Sequence, residues 1–252
     1  MKRQTRIEEV RSIAKALLYI DIAPTRLSYI ASHPFTNTWG TALPREKGGK
    51  TLIEFVDLRE AEGQRQWREA LESRIEEASL FAILSMLNKP YILTFLKYAK
   101  GAISNEDLGE CLHRSWKLIE NISTDVNVSG RELVSMFKRA AKETLMEESE
   151  VAFLNRLPDT VTVYRGVTKV NQTRQKAVSW TVDYETAVWF ANRYRNYETE
   201  SGIHEVWTVT VPKDRILASF TEDGKNNEGE VIVNLYGEKF EIRKFEIRRE
   251  AV

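Results

Sequence analysis

At 252 residues the chain can bury a real core, either as one large domain or as two modest ones. A composition of 42% hydrophobic, 10% aromatic and 29% charged residues excludes the disordered and collagen-like classes. Lys+Arg and Asp+Glu total 37 each, so a polycation that coats nucleic acid or a membrane surface is also excluded. The single cysteine, Cys111, rules out an intramolecular disulfide and a cysteine-based zinc site.

The first six residues, Met1 to Arg6, are basic, but Glu8, Glu9, Arg11 and Lys15 interrupt the stretch from Ile7 to Ile20. This is an amphipathic helix pattern, with Val10, Ala14, Leu17 and Leu18 on one stripe, and not the core of a signal peptide. No run of 18 apolar residues occurs, so the expectation is a cytoplasmic protein with no membrane partner. Pro24 and Pro34 bracket a short second segment. Residues 36–50, with Gly40, Pro44, Gly48 and Gly49, read as a loop, and Thr51 to Val56 as a short strand. Trp67, Leu71, Ile75, Ala78 and Ala82 repeat with a 3.6-residue period, which predicts one helix ending before Pro90. Ser104-x-x-Asp107 opens the next helix, with Leu108, Leu112, Trp116 and Ile119 inward. Ser129-x-x-Glu132 opens another, which carries Leu133, Met136, Phe137, Ala140, Ala141 and Leu145.

After Pro158 the period changes from 3.6 to 2. Val161, Val163 and Arg165 alternate on one side of an extended segment, and Val206 to Val211 is rich in β-branched residues. Glu230 to Leu235 and Lys239 to Ile247 are further strand candidates. Phe240 and Ile242 are out of phase with Phe245 and Ile247, so a bulge is expected near Arg243-Lys244. One helix interrupts the strands: Asp183 caps it, and Ala187, Phe190, Ala191 and Tyr194 form its apolar face. Helices first and strands afterwards predict an α+β fold, with a mainly helical region over 1–150 and a β core over 151–252.

Most chemical motifs fail on spacing. Gly49-Lys50-Thr51 resembles the end of a phosphate-binding loop, but Pro44 stands where that motif needs glycine. His33, His113 and His204 lie far apart without metal-ligand spacing, so no metal is expected, and His113 reads as a helix-surface residue. Cys111 reads as a small buried hydrophobe, and Trp67, Trp116, Trp189 and Trp207 as core or partly buried residues.

Three pieces of the β region remain, in fixed order. They are Val163-Tyr164-Arg165-Gly166, Ser179-Trp180-Thr181 and Asn227-Glu228-Gly229-Glu230-Val231-Ile232-Val233. Taken singly each has an ordinary reading: a surface arginine, an exposed strand face, two solvated glutamates. Together they resemble the mono-ADP-ribosyltransferases of the arginine–serine–glutamate class, which include bacterial toxins, animal arginine-specific enzymes and phage enzymes. The resemblance covers about residues 156–247. Trp180 departs from the small residue usual at the centre of the second motif, while the hydroxyls of Ser179 and Thr181 are retained.

The resemblance implies a two-sheet β core with a cleft for NAD as cosubstrate and no metal. Arg165 would bind the pyrophosphate, since a guanidinium pairs well with phosphate oxygens. Gly166 would let the backbone approach the nicotinamide carboxamide, and Ser179 and Thr181 would line the cofactor site. Glu230, held by Ser179, would face the positive charge that builds on the ribose. Glu228, two residues away on an extended segment, would orient the acceptor guanidinium, with the loop from Phe220 to Asn227 contacting the target. Arg193, Arg195 and Tyr197 read first as a solvated helix end.

The activity implied is transfer of ADP-ribose to a macromolecular acceptor, protein arginine first and nucleic acid second. An NAD glycohydrolase and a degenerate binding module are the competing readings. The family suggests a toxin, one restrained by an antitoxin, or a phage–host conflict protein. Residues 1–150 would recognise a target or partner, or pack on the core.

Overall fold

The structure is a computed structural model that describes residues 4–118, 127–193, 203–220 and 229–247. The architecture is α+β, and the chain separates into two compact units. The first comprises residues 1–104 with 114–125, the second 105–113 with 126–252. The division therefore falls well before residue 150, and the helices between 130 and 156 cluster with the β region.

The first unit begins with α1 (Ile7–Leu17), whose Val10, Ala14 and Leu17 are buried as the stripe predicts. Two-residue strands β1 (Ala23–Pro24) and β2 (Ala31–Ser32) pair between the prolines. Residues 37–39 are irregular, but 40–50 are not a loop. β3 (Gly40–Lys47) and β4 (Lys50–Asp57) form a regular antiparallel hairpin, with Lys47 opposite Lys50. Its turn is Gly48-Gly49, with φ of 60° and 74°, the left-handed pair that a two-residue hairpin turn requires.

The single helix predicted around Trp67 is two helices, α2 (Ala61–Glu77) and α3 (Leu80–Met86). Ala78 is extended, and the Ser79 hydroxyl accepts the Ala82 N–H at 3.2 Å, so a new N-cap breaks the period. The break re-aims the apolar face: Ala82 is exposed, while Ile83 and Leu84 are buried. A 3₁₀ turn (Lys89–Tyr91) leads into α4 (Ile92–Ala99), which packs on α1. Residues of α5 (Asn105–Leu118) fall in both units, and Leu108, Leu112 and Trp116 are buried as expected; Ile119 lies outside the described residues. Among the described residues no helix is long and apolar enough to cross a membrane.

In the second unit α6 (Gly130–Arg139) starts with the predicted capping box between Ser129 and Glu132. It stops at Ala140, and α7 (Lys142–Leu145) and α8 (Glu148–Arg156) follow, the last with a Glu147/Glu150 box. The strands are β5 (Thr160–Thr168), β6 (Ser179–Thr181), β7 (His204–Pro212), β8 (Ile216–Phe220), β9 (Glu230–Val233) and β10 (Arg243–Glu246). β10 starts at Arg243, so the phase change seen there marks where a strand begins and needs no bulge.

These strands form one six-stranded sheet in the order β10-β7-β5-β6-β9-β8, with every pairing antiparallel. The expected two-sheet core is thus a single hydrogen-bonded sheet, but its two halves meet weakly. β5 pairs with β7 over nine positions and with β6 only at Tyr164–Thr181. α9 (Tyr184–Asn192) covers β5 and β7, while α6 and α8 cover β8. Val231, Ile232 and Val233 are all fully buried although they alternate between faces, so both faces of β9 are covered.

Candidate active site

Arg165 arrives at its place because β5 alternates. Val161, Val163 and Val167 are buried on its side of the strand. Tyr164 and Gly166 take the other side, where the Tyr164 ring meets Tyr184 of α9 edge-on at 5.5 Å. Gly166 is glycine for a packing reason. A Cβ there would lie 2.4 Å from the Ala187 carbonyl oxygen, 2.6 Å from the Ala191 nitrogen and 2.7 Å from Phe190 Cβ. The missing side chain therefore admits α9. The far end of α9 is tied down where His204 Nδ1 meets the Ala191 carbonyl at 2.7 Å.

Beyond the Tyr164–Thr181 pair, β5 and β6 no longer share a ladder, and the Arg165 side chain spans the gap. Its Nη1 donates to the Ser179 carbonyl at 2.7 Å. On β6 and β9, Ser179 lies opposite Ile232 and Thr181 opposite Glu230, which puts all four on one face. The diagonal between Ser179 and Glu230 is closed by a hydrogen bond from Ser179 Oγ to Glu230 Oε1 at 2.5 Å. Arg165, Ser179 and Glu230, far apart in sequence, thus form one connected group.

Thr181 has a different duty. It is buried, and its Oγ1 accepts the Asp183 N–H at 3.0 Å, turning the chain into α9. Asp183 Oδ1 then caps the helix through the Thr186 N–H at 2.6 Å, as expected. Trp180 points away and is buried, with its indole N–H on the Ala177 carbonyl at 2.8 Å, so the unusual residue is absorbed by packing. Gly229 has φ +54°, a left-handed bend at the entrance to β9. The extended geometry expected across Glu228-Gly229-Glu230 is therefore interrupted at its centre. Glu228, the loop residues after Phe220, Tyr194, Arg195 and Tyr197 lie outside the described residues.

The electrostatics suit an anion. Burial pushes the Arg165 guanidinium down to about 10, Glu230 opposes that shift, and Arg174 reinforces it. The group keeps its charge at neutral pH. Its Nε is buried and has no hydrogen-bond partner among the described residues. A buried, charged donor in that condition suits an oxygen of an anion such as a phosphate. Arg174, in the loop between β5 and β6, was not singled out by any motif; only the fold brings it near Arg165.

The other candidates resolve as structure. Lys50 and Thr51 lie on strand β4 and no helix follows the glycines directly, so the phosphate-loop resemblance ends there. Cys111 is fully buried. His113 is not a surface residue: it is largely buried, with Nδ1 at 3.0 Å from the Leu145 carbonyl and Nε2 at 3.3 Å from Glu147. Among the described residues no cluster of histidine, cysteine and carboxylate could hold a metal ion. Trp67, Trp116 and Trp207 are buried, but Trp189 is 53% exposed, with the Arg193 guanidinium 5.2 Å from its ring centre. No protein-family model, curated protein or solved structure matches the chain.

Proposed function

We propose that the protein is an NAD-dependent mono-ADP-ribosyltransferase that modifies a macromolecule, with protein arginine as the first acceptor. The six-stranded sheet is read as its catalytic core and the parting between β5 and β6 as one wall of the NAD cleft. The observation that carries the reading is the linked group: Arg165 to the Ser179 carbonyl, and the Ser179 hydroxyl to Glu230.

In this reading Arg165 binds the pyrophosphate through its unpaired Nε and its remaining N–H groups. Ser179 fixes the Glu230 carboxylate in one rotamer. Cleavage of the nicotinamide–ribose bond leaves positive charge on the sugar, and a preset carboxylate lowers that barrier without reorganising. The acceptor nitrogen then bonds to the ribose carbon and gives up its proton, and Glu228 is assigned to orient that nitrogen. Hydrolysis of NAD is the second reading, favoured by the half-exposed position of Glu230, which leaves the sugar side open to water.

Incubation with labelled NAD and a whole-cell lysate, followed by separate protease and nuclease digestion, tests the proposal. Label released only by protease supports a protein acceptor, and release only by nuclease moves the acceptor to nucleic acid. Free ADP-ribose without any adduct favours the hydrolase. Intact NAD overturns the enzyme reading.

A further inference from the structure

We propose that the β3–β4 hairpin is a pairing arm, and that the open edge of β4 takes the same edge of a second copy of the chain. The two edges run antiparallel about a two-fold axis at Leu52. The inference is independent of the NAD reading.

The ladder of the hairpin decides which main-chain groups point outward. Lys47 and Lys50 flank a two-residue turn, so they form a hydrogen-bonded pair, and open and bonded pairs alternate from there. Pro44–Ile53 falls on an open pair, as it must, since proline has no N–H to give the ladder. The outward groups of β3 therefore belong to Ala42, Pro44 and Glu46, and those of β4 to Thr51, Ile53 and Phe55. Asp57 continues the second set, and its carbonyl accepts the Glu60 N–H at 3.2 Å. No main-chain group among the described residues pairs with Thr51, Ile53 or Phe55 on that side.

The two edges are not equivalent. Pro44 interrupts the middle of the β3 edge, a common protection of an exposed strand. The β4 edge carries no proline, and its Leu52, Ile53 and Phe55 are 49%, 70% and 72% exposed. Only the base of the strand is covered, at Val56, and a two-stranded hairpin has little stability of its own in water.

Charge selects the occupant and the register. A two-fold axis perpendicular to the hairpin sets outward groups of one β4 against outward groups of the other. With the axis at Glu54 the two carboxylates would oppose each other. At Ile53, Lys50 would face Val56 and Glu54 would face Leu52. At Leu52, Lys50 of each copy faces Glu54 of the other, Leu52 faces Leu52, and Ile53 faces Thr51. Opposite charges directly across a ladder stabilise it, so this register is favoured, and β4 is complementary to itself. Arg45, bonded to Glu54 at 2.8 Å, stays beside the new pair on the same face.

The test is sedimentation equilibrium up to about 100 μM on the parent chain, K50E, E54K and I53P. The parent should dimerise. I53P removes an outward donor that the hairpin ladder does not use, and should be monomeric with the parent's circular dichroism. K50E and E54K each set like charges opposite at two symmetric places and should weaken the dimer roughly tenfold or more. Mixed together they should associate with each other, and the double variant K50E/E54K should recover the parent's affinity. The mixing result decides the question even if I53P does not fold. A parent that stays monomeric across the series, or a dimer unaffected by K50E, overturns the proposal.

Discussion

Ser179→Ala isolates the contact on which the proposed chemistry turns. It removes a single oxygen and leaves the Ser179 carbonyl, which receives the Arg165 guanidinium, in place. What disappears is the 2.5 Å hydrogen bond to Glu230 Oε1. Hydrogen bonds to charged groups contribute about 1.5–3 kcal/mol, and the half-exposed carboxylate argues for the lower end. At about 1.5 kcal/mol, kcat for nicotinamide release should fall roughly tenfold, with the KM for NAD little changed. Glu230→Gln removes the charge itself and should lower the rate roughly 100- to 1,000-fold. The decisive measurement is the double variant. If Ser179 acts only by positioning Glu230, its loss should cost almost nothing further in the Glu230→Gln background. A full tenfold loss that persists there, or a Ser179→Ala protein as active as the parent, would refute the positioning argument.

Glu228→Gln should suppress transfer to arginine more than NAD hydrolysis, measured side by side as adduct and free ADP-ribose. Equal losses would end the division of labour between the two glutamates. Gly166→Ala should destabilise the protein by about 1–3 kcal/mol in denaturant melts, because the new methyl meets the α9 backbone and not a yielding side chain tip. His33 supplies a pH dependence in the first unit. It is fully buried, accepts the Phe35 N–H on Nδ1, and burial pushes it from 6.5 down to about 4. The unfolded chain then binds the extra proton first. Stability from this group is complete above about pH 6.5 and is lost, up to about 3 kcal/mol, as pH falls toward 4. His33→Gln should flatten the melting temperature across that window, and an unchanged slope would assign the acid sensitivity elsewhere.

What could be read from the sequence was whatever short-range chemistry determines. The Ser129/Glu132 capping box and the Asp183 cap each need only neighbours three residues away, and both formed as expected. Arg165, Ser179 and Glu230 were singled out by their resemblance to a family's ordered motifs, and the structure links them through the Ser179 carbonyl and hydroxyl. The errors share a different cause. Strand β4 was expected over Thr51 to Val56, but its partner β3 is largely exposed on both faces and shows no clean alternation, so it read as a loop. The break at Ser79 was hidden because Ala78 and Ala82 happen to continue the period across it. Gly166 also makes room for a helix that arrives twenty residues later, a packing reason that its neighbours in sequence do not reveal. Arg174 and the inward position of His113 depend on loop closure and helix packing, which no local spelling records. Trp189, read as core or partly buried, turns out to be about half exposed.

The seam between β5 and β6 gives Arg165 two occupations. Where the ladder stops after one pair, its guanidinium takes over the work of a backbone amide and stitches the halves of the sheet through the Ser179 carbonyl. Any neutral substitution at 165 would unfasten that joint as well as discharge the site. The residue most central to the proposed activity is therefore also a strut, and loss of turnover at this position is to be read together with a measure of how firmly the two halves still hold.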